Sequence, residues 1–80
     1  MTRAREVILY TRPDCHLCEL AAQMVELCGA TWYEVDIEAD RELVRKHGMR
    51  IPVLYRPDVD RELVWPFSQD TVQAFIDLEI

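Results

Sequence analysis

The sequence has little glycine, no long apolar run, no cluster of basic residues and no second CxxC pair. Only two of its 80 residues are glycine and half are apolar, so neither a low-complexity nor a disordered chain is indicated. The longest uninterrupted apolar stretch is Val7 to Tyr10. That is far short of the roughly 20 residues a spanning helix needs, so no membrane partner is expected. The formal net charge is −6, and the three locally basic segments, Arg3 to Arg5, Arg12, and Arg45 to Arg50, are scattered along the chain. A phosphate-tracking groove needs clustered Lys and Arg, so no nucleic-acid partner is expected, although one of these segments could hold a small anion. Met1-Thr2-Arg3 runs straight into a strand-like segment, without the length or small-residue cleavage site of a secretory signal. The expectation is a cytoplasmic protein of one domain, residues 1–80.

Hydrophobic spacing supplies the elements. Glu6 to Thr11 reads as a buried strand, broken by Arg12-Pro13-Asp14. Asp14 is the expected helix cap. Leu17, Leu20, Ala21, Met24, Leu27 and Cys28 then follow the i, i+3, i+4, i+7 rule as one apolar face, and Gly29 stops the helix. Thr31 to Ile37 is a second strand. Asp40 opens a second helix with Leu43, Val44 and His47 on one face, ended by Gly48. Ile51 to Arg56 and Arg61 to Trp65 form a hairpin about the turn Pro57-Asp58-Val59-Asp60. Ser68 caps a last helix that buries Val72, Phe75, Ile76 and Leu78. The pentapeptide Asp-Arg-Glu-Leu-Val occurs twice, at 40–44 and 60–64, and is read as a helix start in the first copy and as a strand in the second. The order is β-α-β-α-β-β-α: an α/β fold with a four-stranded mixed sheet and helices on both faces.

Chemistry is concentrated at Cys15-His16-Leu17-Cys18. The pair follows a strand and opens a helix, where free N–H groups and about half a unit of positive charge favour a thiolate. Cys15 is assigned as nucleophile, and Cys18, one turn deeper, as the resolving thiol. His16 either lines the entrance or is a solvated residue at a helix start. Arg12 either holds a thiolate or substrate carboxylate or is a surface arginine. At Ile51-Pro52 an X-Pro bond heads a strand and can be cis, which would offer the Ile51 backbone to an extended substrate.

Tyr10-Thr11-Arg12-Pro13-Asp14-Cys15-His16-Leu17-Cys18 followed by Ile51-Pro52-Val53 resembles the glutaredoxin-like branch of the thioredoxin superfamily, across nearly the whole chain. The resemblance implies a thioredoxin-like fold and a cis Pro52 facing the cysteines. It further implies Arg12 as a contact for glutathione, which would be a co-substrate, with no other cofactor required. The sequence departs from that pattern in two places. His16 and Leu17 stand where glutaredoxins carry proline and an aromatic. Trp65-Pro66-Phe67-Ser68 replaces a Gly-Gly turn that lets the backbone approach glutathione, although the Ser68 cap can receive an anion.

The function expected is therefore thiol–disulfide oxidoreduction of protein or glutathione mixed disulfides. Cys15 and Cys18 are catalytic, and Arg12, His16, Leu17, Ile51, Pro52 and Ser68 contact substrate. The alternatives are a zinc or iron–sulfur module and a non-catalytic thioredoxin-fold adaptor. A closed zinc site needs four ligands, and the chain offers one CxxC and no HxxxH pair, so no metal ligand is assigned. Cys28 reads as core packing and His47 as a cation at a helix C-terminus. Glu34, Asp36, Glu38 and Asp40 read as a solvated face, and Trp32 and Trp65 as packing at the core rim. No apolar stripe is left over, so a monomer is expected.

Overall fold

Apolar alternation in the first strand sets the architecture. In a computed structural model describing residues 6–79, β1 (Glu6–Thr11) turns Val7, Leu9 and Thr11 to one side of a sheet and Ile8 and Tyr10 to the other. Met1 to Arg5, with the basic pair Arg3 and Arg5, lie outside the described residues, as does Ile80. The chain continues through α1 (His16–Leu27), β2 (Thr31–Asp36), a 3₁₀ turn (Ile37–Ala39), α2 (Arg41–His47), β3 (Val53–Arg56), β4 (Arg61–Val64) and α3 (Gln69–Asp77). The sheet order is β2-β1-β3-β4, with β1 and β2 parallel and the other two pairs antiparallel. This is the mixed four-stranded α/β architecture expected from the sequence.

Register assigns the two faces. Leu9 pairs with Leu54, and Leu54 with Leu63, on the first face. There Val7, Leu9 and Leu54 pack with Ala21 and Val25 of α1 and with Val72, Phe75 and Ile76 of α3. Each fully buried Val or Leu in that cluster contributes about 1.5–3 kcal/mol. The opposite face carries Tyr10 against Val53, and α2 reaches it through His47, whose ring stacks on Tyr10 at 4.5 Å.

Several local expectations change. The cap of α1 is Cys15, not Asp14; Asp14 instead takes a left-handed φ of 58°, a conformation Asp tolerates better than most residues. The buried stripe of α1 is Cys18, Ala21 and Val25, while Leu17 and Leu27 are exposed. Cys18 points inward, the positions three and seven residues beyond it follow, and its neighbour Leu17 cannot share that direction. Val44 is exposed beside the buried His47, and Leu78 lies past the end of α3. The strands β2, β3 and β4 are each shorter than expected: β2 gives way to the 3₁₀ turn, and β3 starts only after Pro52, which has no N–H to donate. Gly29, at φ 73°, ends α1 as expected, and both copies of the repeated pentapeptide take their expected forms.

Arg56 was read only as the last residue of a strand. It is instead a buried clamp. One guanidinium nitrogen, Nη1, donates to the carbonyls of Phe75 (2.8 Å), Ile76 (3.2 Å) and Leu78 (2.6 Å), and the other two nitrogens bind the Asp58 carboxylate. The last carbonyls of α3 have no helical partner, and this cation serves them. Arg56→Met should lower unfolding free energy by about 3 kcal/mol, because it strands buried carbonyls as well as removing a charge. Urea denaturation with an unchanged m-value checks this, and a loss below about 1 kcal/mol would contradict the clamp.

Candidate functional site

The turn Pro13-Asp14 delivers Cys15 to the mouth of α1. Cys15 is the N-cap residue, and its Sγ accepts the Cys18 N–H at 3.2 Å. That is the position where Ser or Asp would ordinarily place an oxygen. The Glu19 N–H bonds the Cys15 carbonyl at 3.2 Å, starting the helical ladder. Cys15 and Cys18 are joined as a disulfide, with Cα atoms 5.2 Å apart. Their exposures differ. Cys18 is buried at 4%, whereas Cys15 is half-buried and opens to solvent.

An open cleft of about 180 Å³ surrounds the pair, lined by Thr11, Arg12, Asp14, Cys15, Cys18, Glu19 and Glu34. Of the expected substrate contacts, only Arg12 shares it with the two cysteines. Arg12 Nε lies 3.8 Å from Glu38 Oε2. His16 and Leu17 stand exposed on the first turn of α1, outside the lining, with His16 Nδ1 3.6 Å from Glu19 Oε2. The Ile51–Pro52 peptide is cis. Tyr10 pairs with Val53, so continuing the antiparallel register by one residue sets Pro52 alongside Thr11, at the sheet end where the cleft opens. Pro52 is buried, and its carbonyl accepts the Trp65 N–H at 3.2 Å. A second cis bond follows at Trp65–Pro66, which the sequence reading did not anticipate. Ser68 caps α3, its hydroxyl accepting the Thr71 N–H at 3.2 Å, and neither it nor Ile51 lines the cleft.

The sequence reading missed the acidic wall of the cleft. Glu34 was placed on a solvated face, and Asp14 and Glu19 were given no part in the site. The parallel register of β1 and β2 sets Glu34 abreast of Leu9, on the α1 side of the sheet. That register was available from strand alternation. The turn geometry at Asp14 was not.

The model of the Glutaredoxin-like domain (DUF836) matches residues 6–77. The chain belongs to this glutaredoxin-like family. The domain is similar to the crystal structure of target protein XcR50 from X. campestris, with 38% identity, 89% of this chain and 95% of that one covered, and a TM-score of 0.82. It is also similar to the solution structure of XcR50 (38% identity, TM-score 0.79, 89% and 91% covered). The solution structure of protein Ne2328 from Nitrosomonas europaea shares 28% identity over 94% of each chain, with a TM-score of 0.74. No curated protein matches the chain.

The remaining cysteine of this glutaredoxin-like domain, Cys28, is free and packs against the core, as expected. Burial pushes its thiol above the ordinary range, and its Sγ accepts a hydrogen bond from Gln69 Nε2 at 3.2 Å. Among the described residues no group of three or more His, Cys, Asp or Glu is placed to hold a metal ion, and no helix is long and apolar enough to cross a membrane.

His47 departs from its expected role as a cation at a helix C-terminus. It is 1% exposed on the face opposite the α1 core, between Tyr10 and Glu62, with Nε2 3.9 Å from Glu62 Oε2. Burial lowers its pKa below 6.5, and Lys46 and Arg50 lower it further, against the opposing pull of Glu62. Glu62 is itself held below the usual carboxylate range by the Arg50 guanidinium at 2.7 Å. As pH falls through the ordinary histidine value the unfolded chain takes up a proton that folded His47 refuses, so stability drops. The Glu62 contribution is lost only later, below the ordinary carboxylate value. Between about pH 7 and pH 5 the loss is therefore assigned to His47. His47→Phe, which keeps the stack on Tyr10, should flatten that slope in urea denaturation, and a variant with the wild-type slope would contradict the assignment.

Proposed function

We propose that this domain is a thiol–disulfide oxidoreductase in which Cys15 is the nucleophile and Cys18 the resolving thiol. The observation that carries this reading is the unequal exposure of two bonded sulfurs at a helix N-terminus: Cys15 opens to the cleft and Cys18 lies beneath it. In the reduced protein a Cys15 thiolate would accept the Cys18 N–H already aimed at its sulfur, a charge-assisted bond reinforced by the helix dipole.

The reaction then runs in two exchanges. Cys15 thiolate attacks one sulfur of a disulfide R–S–S–R, forming Cys15–S–S–R and releasing RS⁻, which takes a proton from water. Cys18, having lost its proton to water, attacks Cys15 Sγ as the thiolate, forming the Cys15–Cys18 bond and releasing the second RS⁻, which takes a proton from water in turn. Two electrons pass from the protein to the substrate. The substrates proposed are protein or glutathione mixed disulfides, met by a monomer in the cytoplasm, where a reducing thiol pool restores the dithiol. Substrate contacts are assigned to Arg12 on the cleft wall and to the exposed His16 and Leu17. Ile51 and Pro52 at the sheet end and Ser68 at the α3 cap complete the set.

Cys18→Ser should accumulate a stable mixed disulfide at Cys15 when treated with glutathione disulfide or a disulfide-bonded protein, and Cys15→Ser should accumulate none. In wild type, mild oxidation followed by alkylation should block Cys15 and Cys18 and leave Cys28 as the one thiol that alkylates after denaturation. Intact mass reads both. Three alkylated cysteines after oxidation, or a mixed disulfide carried by Cys28, would overturn the reading.

A further inference from the structure

The cleft around Cys15 is built from charges of mostly one sign. Asp14, Glu19 and Glu34 line it, and Arg12 is the only cation among its lining residues. Its Nε lies 3.8 Å from Glu38 Oε2, too far for a hydrogen bond, and among the described residues that buried N–H has no hydrogen-bond partner. The nearby His16 leans on Glu19 at 3.6 Å and so faces a carboxylate too. The three carboxylates come from separate elements. Asp14 is held by the turn that brings the chain into α1, Glu19 lies in the first turn of the helix, and Glu34 is fixed by β2 pairing with β1. By themselves they would be a solvated rim. What makes them selective is the half-buried Cys15 sulfur among them, because any disulfide that reacts must bring its own charges to that wall.

We infer that the site selects cationic disulfides: a disulfide of a protein or peptide with Lys or Arg beside the reacting sulfur is preferred, and glutathione disulfide, which carries an excess of carboxylates, is a poor substrate. The inference rests on the oxidoreductase reading above and deepens it. Arg12 keeps its place on the cleft wall, outnumbered there by Asp14, Glu19 and Glu34. The net charge of −6 acts in the same direction at longer range, drawing cationic partners to the chain. The exchange is the balanced one already given. Cys15 and Cys18 give up two electrons and become a disulfide, and the cationic disulfide takes them and leaves as two thiols. Selection acts at the first attack, where the incoming disulfide and the developing negative charge on its leaving sulfur both meet the carboxylates, so a neighbouring ammonium group offsets the repulsion.

The test uses the reduced full-length protein with three small disulfides: cystamine, which is cationic, hydroxyethyl disulfide, which is neutral, and glutathione disulfide, which is anionic. Each rate constant is divided by that of the same reagent with 1-thioglycerol, a neutral thiol that differs from those in all three disulfides, which removes intrinsic reactivity. At about 10 mM salt the normalised rate should fall in the order cystamine, hydroxyethyl disulfide, glutathione disulfide, by about threefold or more at each step, and the spread should narrow at about 0.5 M salt. Asp14→Asn, Glu19→Gln and Glu34→Gln together should shrink the cystamine-to-glutathione ratio by about tenfold at the lower salt. Should that variant fail to fold, the wild-type order and its salt dependence decide the matter. Equal normalised rates, or glutathione disulfide reacting fastest, would overturn the charge selection while leaving the oxidoreductase reading intact. Failure of all three reagents to oxidise Cys15 would overturn both.

Discussion

The Cys15 sulfur holds two positions at once: it caps α1 and it faces the cleft. Its contact with the Cys18 N–H, 3.2 Å long, stands where an oxygen would ordinarily satisfy the first turn of a helix. That contact ties reactivity to folding. The backbone that points an N–H at the sulfur is the backbone that starts the helix, and α1 then carries Cys18, Ala21 and Val25 down onto Val7 and Leu9. Cys18 is buried because it belongs to this stripe, and Cys15 is accessible because it precedes it.

The two faces of the sheet use different physics. On the α1–α3 side the core is apolar, and the buried charge of Arg56 serves the loose carbonyls at the end of α3 and Asp58. On the α2 side, Tyr10, His47, Glu62 and Arg50 form a polar stack, with burial holding the His47 pKa below its ordinary value. The His47 carbonyl also accepts the N–H groups of Arg50 (2.8 Å) and Ile51 (3.1 Å), so this stack anchors the segment that runs into the cis Pro52. The site thus lies where an apolar layer, a polar layer and two proline-bearing turns meet at one end of the sheet.

Much of this was legible from the residues. Element order, the strand–turn–CxxC–helix junction and the Ser68 and Asp40 caps follow from spacing and capping chemistry. The repeated pentapeptide shows what local propensity leaves open. Asp40 is extended and caps α2, while Asp60, at φ 52°, closes a turn into β4, and the residues around each copy decide between them. The errors cluster where long-range contacts govern. Leu17 and Leu27 fit a helical period, but the face of α1 that is buried runs through Cys18, Ala21 and Val25 and leaves both leucines exposed. His47 reads as a helix-end cation and Arg56 only as the end of a strand, because nothing in their local sequence shows that Tyr10 and the end of α3 lie over them. The acidic cleft was hidden for the same reason, since Asp14, Glu19 and Glu34 converge only through a turn and a parallel register.

The central claim is that the mouth of α1 stabilises negative charge on one sulfur. It is tested most directly by the pH dependence of iodoacetamide alkylation in a protein carrying Cys18→Ser and Cys28→Ser, which leaves Cys15 alone. The account predicts a midpoint clearly below the free-cysteine value of about 8.5, reached in spite of the surrounding carboxylates. A midpoint at or above that value would contradict it.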